Sequence, residues 1–392
     1  MADDEQVNPF NNPLFAHFQR AMAAQGPLQW DVARQTALMA ATQGVAEHNV
    51  DPQRRIAVQA LAGVAGMHAA DVTGLEITSV EKLEVIGRAT WVTLTLEGWK
   101  SYFEALASAI GGSQEVNNEA ATDDSGDQMM AMLANVSKLI APSMLGMSVG
   151  TLVGRLAVNT FGQFDLPLPR EPHGRLVIVV GNVDNFADEW SIPREDMAMW
   201  ALTHELVSHA VFGVQHVRES LRRLVTDFAN GFRPNPGALS ESIGQLDVSS
   251  GDPMKMLDSL LSDPTVLLGA QRSSAQDRVA PVLDAAVTSL VGYIDHKVDL
   301  ATARLLGKDS RIAEAVRRRR VAQSGDRIFV ERLLGVDLTK ERVDLARQFI
   351  GGVLERAGED GVSQLLSKPG NLPTPAEIAA PGLWLARLET SQ

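Results

Sequence analysis

The chain has 392 residues, of which 45% are hydrophobic and 21% are charged, with a net charge of −13 and no cysteine. This length and composition are typical of a globular protein with one large domain or two smaller ones. The negative charge argues against general binding to nucleic acids or anionic membranes. The lack of cysteine excludes thiol catalysis, thiolate metal sites and disulfides, so His, Asp and Glu are left as the strong metal ligands. We expect a cytoplasmic protein, because Met1–Gln6 lacks the apolar core of a secretory signal.

The first part of the chain is predicted to be helical. Residues 1–26 are expected to form a flexible arm, and 27–165 a helical N-terminal region. Within that region, 111–128 is polar, acidic and poor in apolar residues, which predicts a mobile insertion. Helices are predicted at Trp30–Asn49, Pro52–His68 and Gly98–Ile110, while the β-branched residues of Val80–Leu96 are compatible with a strand or a helix.

A long apolar stretch at Met129–Phe164 resembles a membrane span at first sight. Lys138 and Arg155 interrupt it, and no uncharged run reaches the roughly 18 residues that a span requires. We therefore expect no membrane span but a buried helical hairpin, in which small residues allow close helix contact. The small residues concerned are glycines spaced four apart: Gly146, Gly150 and Gly154.

The region 166–392 contains the clearest strand, Arg175–Val180, followed by helices. One helix is predicted to run through His204 and to end near Gly213. The sequence therefore predicts a mainly α protein with a small β-sheet, in the α+β class. Further helices are predicted at His216–Phe228, Ala280–Leu306, Arg311–Val321 and Asp337–Gly358.

The helix around His204 carries a motif that is close to that of zinc proteases. Their motif is H-E-x-x-H, in which two histidines four residues apart are separated by only about 40° around the helix and bind one ion. The glutamate acts as general base on the metal-bound water. Here the sequence is HELVSH, so the residue four positions after His204 is Ser208, and the second histidine is His209, five positions after His204. On a regular helix, His204 and His209 are about 140° apart, and only a π-bulge would align them.

Several segments together resemble a known family, the actinobacterial zincin-like proteins assigned as zinc-dependent metalloproteases or as hydrolases associated with coenzyme F420 biosynthesis. The resemblance runs nearly from end to end and implies a zincin-like metallopeptidase fold for 166–392. It rests on GPLQWD at 26–31, GQFDL at 162–166, WALTHE at 200–205, AVF at 210–212, GYIDH at 292–296, LLGVDL at 333–338 and LPT at 372–374.

This resemblance implies a ligand set that the chain lacks in two places. In the family, the second histidine of the motif corresponds to Ser208, and a glutamate that resembles the third zinc ligand corresponds to Val291. His204 keeps its position as a ligand, and Glu205 keeps that of the general base. Asp295 keeps a place from which it would orient the third ligand. Because catalytic zinc usually has three protein ligands, we expect no metal cofactor.

A rebuilt site remains an alternative. His204 or His209 could bind zinc together with Asp295, His296 or Glu205, since Glu205 and His209 share a helical face. In that case Glu205 would be the general base of an active metallohydrolase.

The basic run Arg317–Arg320 has two interpretations. It could bind phosphate or an acidic partner. The favoured interpretation is a solvated helix C-terminus, where cations suit the helix dipole.

Three functions follow from these observations. We favour a pseudoenzyme, in which a zincin-like scaffold with a degenerate H-E-x-x-H motif binds a protein or peptide partner, and not nucleic acid. The alternatives are an active zinc-dependent peptidase with the rebuilt site, and a structural or assembly protein, for which an oligomer is possible.

Overall fold

A computed structural model describes residues 28–77, 83–118, 127–171, 174–233, 272–307, 311–322 and 330–390, with backbone only at 112–141 and 321–322. The predicted arm at 1–26 lies outside these ranges. Within them the protein is mainly helical with a small sheet, which confirms the predicted fold class. In chain order, the elements are α1 (Trp30–Thr42), α2 (Pro52–Thr73), β1 (Leu83–Ile86), α3 (Arg88–Gly98), α4 (Lys100–Asn118), α5 (Asp127–Asn159), β2 (Leu176–Val179), α6 (Val180–Glu189), α7 (Arg194–Gly213), α8 (Gln215–Asn230), α9 (Ser274–Leu305), α10 (Ile312–Ala322), α11 (Lys340–Ser363), a 3-10 turn (Gln364–Leu366), α12 (Pro375–Ile378) and α13 (Pro381–Thr390).

Local signals define several helix ends. Asp51 caps α2 by accepting a hydrogen bond from the backbone N–H of Gln53, and Gly74 ends the helix in the left-handed conformation. The long helix α9 begins with a capping box, in which the side chains and backbone N–H groups of Ser273 and Gln276 bond reciprocally. In α8, the buried residues Val217, Leu221, Val225 and Phe228 follow the helical period, as the predicted amphipathic helix requires.

The two strands pair in parallel, with Leu83 opposite Leu176 and Ile86 opposite Val179. All four residues of β2 are buried. On the other side of β2, Gly162 forms an antiparallel bridge with Ile178. The predicted strand at 175–180 is therefore the centre of a small sheet that also holds the segment around Gly162.

One stretch with an ambiguous pattern contains both a strand and a helix. In the region Val80–Leu96, for which strand and helix are both predicted alternatives, the described residues 83–96 contain β1 and most of α3. In α3, Trp91, Val92, Thr95 and Leu96 are buried at helical spacing, and the Thr95 hydroxyl donates to the Trp91 carbonyl at 2.7 Å. Tertiary burial thus overrides the β-propensity of this stretch.

The predicted hairpin at Met129–Phe164 is wrong, because most of this stretch is one helix, α5, with Pro142 inside it. The close contact predicted for its glycines is confirmed, but the partner is α1. A Cβ on Gly146, Gly150 or Gly154 would lie 2.5–2.7 Å from backbone oxygens of α1 or of Gln29 just before it.

Two further expectations are a mobile insertion at 111–128 and the absence of a membrane span. Residues 111–118 form the end of α4 and 127–128 the start of α5, while 119–126 lie outside the described residues, so the mobile insertion stays a prediction. Among the described helices, α2 has the length and hydropathy of a membrane span, with 39% of its most apolar window buried. A single such helix is weak support for a span, since core helices of globular proteins meet the same criterion.

Helix α7 lies at the centre of the protein. It packs against α2, α6, α8, α9 and β2, and nearly every residue from Met197 to Phe212 is buried. One continuous hydrophobic core includes residues from Leu28 to Leu388 and therefore crosses the predicted boundary at 165–166.

Candidate functional site

The histidines of the motif lie on α7 and face different neighbours. The helix is α-helical throughout 194–213, without a π-bulge. The His204 ring stacks on Trp200, with ring centres 5.2 Å apart and planes at 17°. The His209 ring meets Phe164 edge to face at 6.3 Å. As the spacing of five predicts, the regular helix does not align the two imidazoles on one side.

Glu205 is completely buried and is bound by the backbone. Its carboxylate accepts a hydrogen bond from the N–H of Gln163 at 2.8 Å and another from the N–H of Phe164 at 3.1 Å. His204 Nδ1 lies 3.6 Å from the nearer carboxylate oxygen. Burial raises the pKa of Glu205, while the nearby His204 ring and the hydrogen bond from the N–H of Phe164 oppose that rise. The carboxylate thus holds residues 161–165, hereafter the 161–165 segment, against α7.

Glycine is required where this segment crosses Glu205. A Cβ on Gly162 would lie 2.3 Å from Cδ of Glu205, closer than any side chain tolerates. The Gly162 carbonyl accepts hydrogen bonds from Trp91 Nε1 at 2.6 Å and from the Thr160 hydroxyl at 2.8 Å. The 161–165 segment is therefore fixed on one side by the carboxylate and on the other by α3.

Asp165 ends the segment and forms an ion pair with Arg319 of α10. Its Oδ2 lies 2.7 Å from Arg319 Nη2 and also accepts a hydrogen bond from the N–H of Phe161. The Arg319 guanidinium lies 3.4 Å from the centre of the Phe161 ring. Burial lowers the pKa of Arg319, and the charge of Asp165 opposes this. Thus the arginine run, predicted to be solvated, contributes a largely buried cation to this site.

Arg170 is buried next to the same segment. Its Nε donates to the Gln163 carbonyl at 3.0 Å, and its Nη1 donates to the Thr95 hydroxyl at 2.7 Å. The guanidinium lies over the rings of Trp91 and Trp99, 5.1 and 4.6 Å from their centres. Burial lowers the pKa of Arg170 to about 9, although Glu205 acts in the opposite direction.

The two positions at which the family resemblance implies ligands hold buried side chains. Ser208 is fully buried, and its hydroxyl has no hydrogen-bond partner among the described residues. Val291, on α9, lines a small cavity together with His204 and Asp165. Asp295 lines the same cavity and forms an ion pair with Arg320 at 2.8 Å.

The structure therefore brings together some of the predicted site residues and separates others. His204 of α7 lines the small cavity with Val291 and Asp295 of α9, and the Glu205 carboxylate lies beside His204 on the side of the 161–165 segment. His296 points instead to α11, where its Nε2 lies 2.7 Å from Glu359 Oε1. His209 packs on Phe164 and does not line the cavity.

In the described part of the chain, one group of three side chains is close enough to hold a metal. Its members are Asp165, His204 and Glu205, whose ligand atoms lie within 4.8 Å of one another. Sequence analysis did not select Asp165, although the residue belongs to the GQFDL segment. Arg170 and Arg319 were also missed as site residues, because a lone arginine and a basic run carry no signal of their burial.

Comparison with known proteins places this arrangement in a family. The sequence model of the zincin-like metallopeptidases matches residues 28–385. In fold, the chain is similar to a crystal structure of a candidate hydrolase with a novel fold from Chloroflexus aurantiacus, with a TM-score of 0.61 and 21% sequence identity over 92% of this chain and 99% of that one. No curated protein sequence matches the chain.

Proposed function

Because the chain belongs to the zincin-like metallopeptidase family, we propose that it is a member that has lost catalytic zinc and acts as a binding or regulatory protein. The observation that carries this proposal is the position of Glu205. A general base must reach the metal-bound water, but both oxygens of this carboxylate are buried and accept backbone N–H groups. Glu205 therefore acts as a structural anchor for the 161–165 segment.

The ligand positions support the same proposal. Val291 has no donor atom, and a neutral serine hydroxyl such as that of Ser208 is a poor zinc ligand. Zinc binding to a full set of ligands is worth roughly 10–16 kcal/mol, so the loss of two ligands removes much of the affinity. The residues present thus do not fit a catalytic zinc with three protein ligands and a water.

A second candidate is a metal-dependent hydrolase with a rebuilt site. The closeness of Asp165, His204 and Glu205 favours it, because two carboxylates and an imidazole are suitable zinc ligands. Against it, Asp165 already pairs with Arg319, and Glu205 already accepts two backbone hydrogen bonds. A metal would have to compete with all of these contacts.

We further propose that the partner is a protein or peptide and that the protein acts in the cytoplasm. The lack of cysteine and the acidic net charge support these two proposals. The link to actinobacteria and to coenzyme F420 biosynthesis rests on the sequence resemblance alone.

Metal analysis tests the proposed loss of zinc. Protein purified without chelator is analysed by inductively coupled plasma mass spectrometry, together with the His204→Ala and His209→Ala variants. We expect less than about a tenth of a zinc ion per chain in the wild type and in both variants, because the ligand set is incomplete. The exposed His48 provides a matched control through His48→Ala.

About one zinc per chain, lost in His204→Ala and kept in His48→Ala, would contradict the proposal and support the rebuilt site. In that case, loss of zinc in His209→Ala as well would identify the second histidine as a ligand. Retention of zinc in His209→Ala would point to Asp165 and Glu205 as the other ligands.

A further inference from the structure

A second, larger cavity lies beside the His204 region. It has a volume of about 60 Å³ in which the centre of a water molecule can move, enough for a ligand larger than one water. It shares Asp165, Arg320 and Leu338 with the small cavity next to His204. Trp200, on which His204 stacks, also lines it. The two cavities are therefore neighbours in one region of the protein.

The lining of this cavity is basic and aromatic. It includes four arginines, Arg155, Arg170, Arg319 and Arg320, against one carboxylate, Asp165. Three tryptophans, Trp91, Trp99 and Trp200, form much of its wall. This concentration of cations is unusual for a chain whose net charge is −13, and it favours an anion.

Several buried donors around the cavity have no acceptor. Arg170 Nη2, Arg319 Nε, Trp99 Nε1 and Trp200 Nε1 are buried without a hydrogen-bond partner among the described residues. Guanidinium and indole N–H groups can only donate, so each requires an acceptor. Buried polar groups normally find partners, and four such donors on residues that line one cavity indicate a ligand rich in acceptors.

The charges around the cavity select a ligand with a single negative charge. Arg319 and Arg320 already pair with Asp165 and Asp295. Arg170, in contrast, forms no ion pair within the described part of the chain, although it is buried between two indole rings. The nearby charges of Glu205 and Asp165 offset only part of the cost of burying this cation, and one carboxylate opposite its planar guanidinium would offset the rest.

We propose that this cavity binds a small organic carboxylate that carries a short apolar or aromatic group. The carboxylate contacts Arg170 and Arg155, and the apolar group packs against Trp99, Trp200 and the aliphatic side chains of the wall. Those side chains are Leu156, Leu166, Val316, Val330, Val336 and Leu338. The inference rests on the proposed binding function and names the chemical class of the ligand. A free metabolite and the C-terminus of a peptide both present this chemistry.

Titration calorimetry and tryptophan fluorescence test this proposal. The probes are benzoate, N-acetylalanine as a mimic of a peptide C-terminus, benzamide as the neutral counterpart of benzoate, and inorganic phosphate. We expect saturable binding of at least one acid with a change in tryptophan fluorescence, and at least tenfold weaker binding of benzamide and phosphate. Tighter binding of N-acetylalanine identifies a peptide terminus as the source, and tighter binding of benzoate identifies a free acid.

Matched variants connect the binding to the cavity. Arg170→Met and Arg155→Gln should each weaken the acid at least tenfold, whereas Arg54→Gln should leave it unchanged. Arg54 is a suitable control because it pairs with Asp184 at 2.6 Å, away from the cavity. Arg155 is only half-buried, so its variant serves if Arg170→Met does not fold.

Three results would overturn the proposal: no saturable binding of either acid to folded protein, equal binding of benzamide or phosphate, or acid binding unchanged in both cavity variants. These results are separate from the metal analysis. One zinc per chain with carboxylate binding intact would reject the proposed function alone, and absence of both zinc and carboxylate binding would reject this inference alone.

Discussion

At the scale of single residues, Glu205 joins the central helix to a distant segment of chain. Its two oxygens accept the backbone N–H groups of Gln163 and Phe164, which lie more than 40 positions earlier. Those N–H groups are buried, and each would cost roughly 1–3 kcal/mol if it were left without an acceptor. The carboxylate at this position therefore has a structural use that does not involve zinc.

The raised pKa of Glu205 leads to a prediction about pH. A carboxyl group whose pKa is higher in the folded than in the unfolded protein contributes stability below its unfolded pKa and loses that contribution as pH rises through its folded pKa. We expect the free energy of unfolding of the wild type to fall relative to that of Glu205→Gln as pH rises from about 4, by at most about 1.4 kcal/mol per pH unit.

The measurement is urea unfolding of both proteins between pH 4 and 8. The comparison isolates this residue, because all other carboxyl groups are common to the two proteins. A stability difference that stays constant with pH would mean that the pKa of Glu205 is not raised by burial. Glu205→Ala serves as a reference, since it also removes the acceptor of both backbone N–H groups.

At the scale of elements, the contact between α1 and α5 depends on glycine. Gly146, Gly150 and Gly154 lie four apart and form a stripe on α5, and the backbone of α1 passes directly over it. Four-residue spacing brings these positions to one face of the helix. The same glycine pattern that suggests a membrane helix thus serves a close helix contact in the core.

Substitution of Gly150 tests this contact. In Gly150→Ala, the new Cβ would lie 2.5 Å from the Ala33 carbonyl oxygen and 2.7 Å from Thr36 Cβ, so the helices must separate. We expect a loss of about 1–3 kcal/mol in the free energy of unfolding, measured with urea. Gly63 of α2 has nothing within 4 Å of its Cβ position, so Gly63→Ala should stabilise the protein by up to about 1 kcal/mol. Equal effects of the two substitutions would contradict the close contact.

The arginine run of helix α10 contains both exposed and largely buried side chains. Arg318 is exposed and pairs with Glu314 on its own helix, as a solvated helix would. Arg319 and Arg320 are largely buried and pair with Asp165 and Asp295 from other elements. Helical geometry turns neighbouring residues about 100° apart, so one run supplies both surface and interior cations.

At the scale of the whole molecule, the regions before and after residue 165 share one core. β1 and β2 pair across this position, and α2 packs on both α7 and α9. The hydrophobic cluster includes Trp99 in the first region and Trp384 near the end of the second. Apolar residues from both regions therefore contribute to the same hydrophobic cluster.

We therefore expect the protein to unfold in a single cooperative transition. The midpoints in urea should coincide when unfolding is followed by far-ultraviolet circular dichroism and by tryptophan fluorescence. Each region contains three of the six tryptophans, so the Trp99→Phe and Trp384→Phe variants serve as controls that shift the weight of the fluorescence signal towards the second and the first region, respectively. Two separated midpoints would show that the regions on either side of residue 165 fold independently.

The sequence alone determined the local features of this protein. Apolar periodicity predicted the helices and the strand at 175–180, because these patterns are set by residues close together in the chain. The spacing of five between His204 and His209 predicted their separation, which the regular helix α7 retains. Scattered motifs also predicted the zincin-like family.

Only the tertiary structure decided which side chains meet. The acceptor role of Glu205, the burial of Arg170 and Arg319, and the contact of α5 with α1 all join residues far apart in the chain. Local sequence patterns do not identify such partners. An arginine that is exposed to water and an arginine that is buried beneath a tryptophan can have similar neighbours in the sequence. The environment of a charged group is a property of the packed core, and that environment determines what the group can bind.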